Sequence, residues 1–170
     1  MENSNPSIKM ASSEWDPNTV LDAVLHGDIQ TLRYYLDHGC PIDLELNQNG
    51  DTILLVACRL GLLEIASLAL LYNAKNDPHP HYGQTALQHA VSAGHKQIVQ
   101  LILDLAQPSG LDEVIVNHTN ANEAPIHVAS RCGSDQILNL LILHGANVGV
   151  VDGRGRHRCH LHQAAFLMRL

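Results

Sequence analysis

The chain has 170 residues, of which 45% are apolar and 16% charged, which suits one packed domain and leaves little room for a second. Ten Lys+Arg against 17 Asp+Glu give a formal net charge of −7, a poor start for gripping a nucleic-acid backbone. No run approaches the roughly 20 apolar residues a bilayer span needs, and the polar start from Met1 to Pro6 has neither the basic nor the apolar part of a secretory leader; the expectation is a cytoplasmic or nuclear protein with no membrane partner.

Six aromatics against 26 leucines tilt the chain toward helix. Residues 1–15 are rich in Ser and Asn and are expected to be disordered. Asp16 followed by Pro17 reads as a helix start, with an acceptor at the cap and a proline in the first turn. The apolar periodicity then predicts helix pairs at about 19–26 and 29–37, 52–60 and 63–72, 85–93 and 96–105, and 125–132 and 135–143. Pro108 and Gly110 break the pattern, and residues 107–113 are expected to form a lengthened loop. Beyond Gly155, Leu161-His162-Gln163-Ala164 restores part of the pattern, but no second helix follows before Leu170.

Glycines measure the repeat. Gly27, Gly61, Gly94 and Gly133 stand 34, 33 and 39 residues apart, each with an alanine four residues earlier. Twelve residues after each lies a second stop, at Gly39, Asn73 and Gly145, with Ala106 in the third copy. A glycine in the left-handed region ends a helix and turns the chain back, and Asn is the tolerated substitute. Helices of eight or nine residues are marginal alone, so each hairpin must be buried by its neighbours. The stripes that would do this are Ile65, Leu68, Ala69, Leu70 and Leu71, then Ile98, Leu101, Ile102 and Leu105, then Ile137, Leu138, Leu140 and Leu141. Leu101, mid-stripe, is expected to be core.

Thr85-Ala86-Leu87-Gln88-His89-Ala90 and Ala124-Pro125-Ile126-His127-Val128-Ala129 resemble the T-P-L-H-x-A pattern of the ankyrin repeat, and Leu141 to Val148 resembles the LLxxGAxV ending of its unit. The resemblance implies an all-α solenoid of about four helix-turn-helix repeats, at about 16–48, 49–81, 82–121 and 122–153, with 154–170 a degenerate, truncated fifth repeat or a basic tail. It implies a structural, hydrogen-bonding role for His127. It also implies a non-catalytic adaptor or scaffold that binds a protein through the concave face; the alternatives are the repeat portion of a larger enzyme or receptor, and an inhibitor that occupies a partner's catalytic domain. The chain itself is expected to be a monomer. The partner-binding residues it points to are Asp22, His26, Arg59, His79, His81, Tyr82, His89, Arg131, Asp152 and Arg154, with Arg59, Tyr82 and Arg131 foremost because arginine and tyrosine dominate interface energetics.

Other chemistry is weakly represented. No G-x-S-x-G elbow and no phosphate-binding glycine fingerprint occurs, so no catalytic or cofactor site is expected. His157, Cys159, His160 and His162 are packed too tightly for a tetrahedral zinc site, and no metal is expected. The widely spaced Cys40, Cys58, Cys132 and Cys159 read as reduced thiols, and the sequon Asn117-His118-Thr119 as unused. His79-Pro80-His81-Tyr82 is expected at a solvent-exposed fingertip. Charge is uneven: 17 acidic and six basic residues precede Arg154, a net −11, whereas the last 17 residues carry four arginines and no acid. An acidic body favours a basic partner.

Overall fold

The computed structural model describes residues 15–106, 112–119 and 123–149, apart from the side chains of Asp112 and Glu113. The expectations for residues 1–14, for Asn122, Asp152 and Arg154, and for the segment 154–170 with its His/Cys cluster lie outside the described residues. Within them the helices are α1 (Pro17–Leu25), α2 (Ile29–Asp37), α3 (Ile53–Leu60), α4 (Leu63–Leu71), α5 (Ala86–Ala93), α6 (Lys96–Ala106), α7 (Asp112–Val116), α8 (Pro125–Cys132) and α9 (Asp135–Leu143). The four anticipated pairs are all present, with ends shifted by no more than two residues.

Local chemistry sets the ends. Asp16 accepts from the Asn18 backbone N–H at 3.0 Å and Asp28 from that of Thr31 at 3.0 Å, opening α1 and α2. Thr85 and Gln88 form a capping box on α5, the Thr85 hydroxyl accepting from the Gln88 N–H and the Gln88 amide oxygen from the Thr85 N–H. Gly61 closes α3 in the left-handed region at φ +78°, and a Cβ there would meet the His95 ring at 2.5 Å, so both backbone and space demand glycine. Asn73, at φ +61°, takes the same conformation after α4.

The first helices α1, α3, α5 and α8 pack in sequence into one layer, and α2, α4, α6 and α9 into a second. The alanines four residues before each glycine, Ala23, Ala57, Ala90 and Ala129, are buried in the first layer, where their small size lets backbones approach. From the second unit to the fourth the first helices pack more closely on one another than the second helices do. Leu32, Ile65, Ile98, Leu103, Ile137 and Leu141 fill the space between layers.

Polar ties stitch each unit to the next. Asp43 accepts from the Lys75 N–H at 3.1 Å and the Tyr72 hydroxyl donates to Asp37, joining the first two units. Asn76 accepts from the Leu87 N–H at 3.0 Å at the next seam. Gln88 donates to the Glu123 carbonyl at 2.9 Å, and Asn117 donates to the Gly145 carbonyl at 3.0 Å while accepting from the Asn147 N–H at 2.8 Å, joining the third and fourth. The sequon asparagine is thus committed to the fold.

Two expectations need correction. Residues 112–113 belong to a helix rather than a loop: α7 starts at Asp112, buries Val116 completely and hands the chain to Asn117 in register with the fourth unit. The stripe of α6 is also shifted. Its buried residues are Ile98, Val99, Ile102, Leu103 and Ala106, an i, i+1, i+4, i+5 ridge wedged between α4 and α9, while Leu101 is half-buried and Leu105 exposed. Leu71, at the end of α4, is likewise exposed. In urea denaturation, Leu103→Ala is expected to lower the unfolding free energy by about 2–5 kcal/mol and Leu101→Ala by only about 1 kcal/mol. The reverse order would restore the original helix phase.

Candidate functional site

The concave side consists of the open surfaces of α1, α3, α5 and α8 and of the fingers that precede them. Counting back from each glycine places Asp22, Val56, His89 and Val128 in one row and Leu25, Arg59, Ser92 and Arg131 in another. The row next to the glycines is His26, Leu60, Ala93 and Cys132. Asp22 and His26 are exposed on α1, with the imidazole Nδ1 3.2 Å from the carboxylate. Leu25, Leu60 and Tyr82 are about half exposed, and His81 is exposed beside Tyr82. Val56 and Val128 are buried, so the middle of α3 and of α8 contributes packing rather than contact.

Both arginines on this side are already held. The Arg59 guanidinium donates through two nitrogens to the two oxygens of Asp51, at 3.2 and 3.1 Å, a forked pair. Two units along the stack, Arg131 pairs with Glu123 at the same eight-residue separation. In each case the carboxylate stands just before a first helix and the arginine in its last turn.

His79 is the main departure from the sequence reading: it is 1% exposed, not a solvent-facing fingertip. Its Nδ1 accepts from the backbone N–H groups of His81 and Tyr82 at 3.1 and 3.2 Å, which leaves the ring proton on Nε2, directed at Asp51 Oδ1 3.5 Å away. The ring stacks on Tyr82 with centroids 4.6 Å apart. Local turn geometry folds His79 inward: its own carbonyl and N–H bond to Gly83 and Gln84 across the finger. The spacing of His79, Asp51 and Arg59 in the chain carries no hint of this convergence. His127 does hold the structural place its family position implies, Nδ1 accepting from the Ala124 N–H at 3.0 Å. Gln88 fills that place one unit earlier, a role the sequence left unassigned.

Burial alone would raise the Asp51 carboxyl, but hydrogen bonds from Asn47 and Arg59 and the charge of Arg59 outweigh it and hold it below its ordinary value of 3.8. Burial pushes the His89 imidazole below 6.5, helped by Arg59 and His79 and opposed by Asp51, and its Nε2 is enclosed with no hydrogen-bond partner. Burial also raises the Cys40 and Cys58 thiols to about 11 and about 12, so neither is a nucleophile near neutral pH. Cys132 is exposed and free, its thiol directed at the Ser92 carbonyl at 3.7 Å. Among the described residues no three His, Cys, Asp or Glu side chains converge as a metal site, and no helix is long and apolar enough to cross a membrane.

The model of the family described as "Ankyrin repeats (3 copies)" matches residues 20–110 and 69–152. The chain belongs to the ankyrin-repeat family. Its ankyrin stack is similar to part of Protein glp-1 of Caenorhabditis elegans (28% identity, 97% of this chain and 13% of that protein). It is also similar to part of the diacylglycerol kinase zeta of Rattus norvegicus (36% identity, 44% of this chain and 8% of the relative). A third similarity is to the putative E3 ubiquitin-protein ligase XBAT31 of Arabidopsis thaliana (27% identity, 84% of this chain and 33% of the relative). The chain therefore spans a third or less of the length of these relatives. Ankyrin repeats are general protein-interaction modules, and each of these matches is to a segment of a larger protein.

The two perturbed groups on the ankyrin face predict a stepped acid response. The fold favours neutral His89, so its contribution is complete above about 6.5 and is lost as pH falls through the lower folded value; the fold favours ionised Asp51, whose contribution is complete above about 3.8 and is lost in the same direction. Thermal midpoints should fall from pH 7.5 to 5.5, with a shallower slope in His89→Gln, and fall again below pH 4, with a shallower slope in Asp51→Asn.

Proposed function

We infer that the chain is a non-catalytic ankyrin adaptor or scaffold that captures a protein partner on its concave face, working in the cytoplasm or nucleus. The observation that carries this reading is a set of half-exposed side chains, Leu25 and Leu60 at the ends of α1 and α3 and Tyr82 on the finger before α5, beside an otherwise close-packed layer of first helices. Large side chains left open on a rigid scaffold are the usual anchors of an interface, which needs about 800 Å² from each side. Asp22, His26, Arg59, His81, His89 and Arg131 lie on the same helices and fingers; His79 serves by fixing Tyr82 rather than by touching the partner.

A second reading is supported by the lengths of the relatives: the stack is the targeting portion of a longer protein whose working domain lies elsewhere, as the match to 13% of one relative and 33% of another suggests. In both readings the same face does the binding. Affinity purification from cells with the wild-type chain and with a Leu60→Asp/Tyr82→Ala variant as baits, read by quantitative mass spectrometry, tests it. A specific partner should be depleted at least tenfold on the variant while circular dichroism and melting stay unchanged. Equal recovery on both baits would move the site off this face.

A further inference from the structure

We propose that the concave face recognises an uncharged, apolar segment of its partner, and that this recognition is nearly independent of salt, although the body of the chain is acidic. This rests on the reading of the concave face as the binding site and specifies what that face accepts.

Charge has been withdrawn from this side of the molecule. The four first helices carry three formally charged residues between them, Asp22, Arg59 and Arg131, and α5 carries none. Arg59 is neutralised by Asp51 and Arg131 by Glu123, in both cases by a carboxylate of the same unit. Asp22 lies against His26 at the edge. A partner carboxylate would have to displace Asp51 or Glu123 to reach either guanidinium, and a partner lysine would meet an arginine in front of each carboxylate. Neither exchange gains net charge pairing, and both incur desolvation. The acidic excess lies off the first helices. Asp43, Glu45 and Asp77 line a cleft in the fingers together with Lys75, and Asp28, Asp37, Glu64, Asp104 and Asp135 lie on or beside the second helices.

What remains open on the concave side is apolar or weakly polar: Leu25, Leu60, Ala93, Cys132 and the face of Tyr82. Tyr82 is set in place before any partner arrives. Its ring rests on His79, His79 is held by two backbone N–H groups with its Nε2 facing Asp51, and Asp51 is gripped by Arg59. An aromatic ring held by a buried network loses little freedom on binding, which is what an anchor requires. Of the exposed leucines of the outer layer, Leu71 shares its groove with Arg33 and Glu64.

The probe is a library of random 16-residue peptides displayed on phage and panned against the folded chain, with enriched peptides measured by fluorescence anisotropy in 50 and 500 mM NaCl. Enriched sequences should be rich in aromatic and aliphatic residues and near neutral. Their Kd should change less than threefold between the two salts and weaken at least tenfold on Leu60→Asp and on Tyr82→Ala. Enrichment of lysine- or arginine-rich peptides whose affinity drops more than tenfold at high salt, yet which still respond to Leu60→Asp, would overturn the apolar assignment while leaving the concave site standing. Binders indifferent to both substitutions, or none at all, would instead count against the concave face itself.

Discussion

An eight- or nine-residue helix cannot stand by itself in water, because too few of its backbone groups are paired to offset the ordering of the chain. Every helix here but α6 is that short or shorter, so the structure depends on contact between neighbouring units. That dependence explains the composition of the first helices. Ala57, Ala90 and Ala129 are there because backbones must come close, and glycine follows each helix because the chain must reverse at once.

The regular part of this architecture was legible in the sequence because the same demands recur at a fixed interval. Helix ends at Gly61, Gly94 and Gly133 could be read off directly, as could the cap at Asp16. What escaped was whatever depends on contact between distant parts of the chain. Nothing near Leu101 says that Leu103 faces both neighbours, since that depends on where α4 and α9 sit. The helix at Asp112 was hidden behind Pro108 and Gly110, which rule out continuation of α6 but not a fresh start. Among the residues expected to meet a partner, Asp22, His26, His81 and Tyr82 are exposed. His79 looked exposed because prolines flank it, and only the folded finger shows its ring turned inward onto Asp51.

The pairing of Arg59 with Asp51 and of Arg131 with Glu123 gives a formally charged residue type a structural task. Arginine at such positions invites reading as a contact for acidic partners, and the overall acidity of the chain invites the opposite. Both inferences treat charge as a property of composition. The distribution of pairs makes it local: the first helices carry few net charges, and the remaining acids gather in the fingers and on or beside the second helices.

An array of similar apolar surfaces has no built-in memory of which unit belongs beside which. Any first helix could rest against any other with comparable burial, and a slipped or exchanged arrangement is a hazard for repeat proteins. Gln88, 2% exposed, works against that degeneracy: besides the His118 carbonyl of its own unit at 3.4 Å, its amide donates to the Glu123 carbonyl of the next unit at 2.9 Å. A wrong neighbour would cost that buried amide its shorter hydrogen bond, so this one side chain acts as an address label, making the order of the stack as well as its stability a property of the sequence.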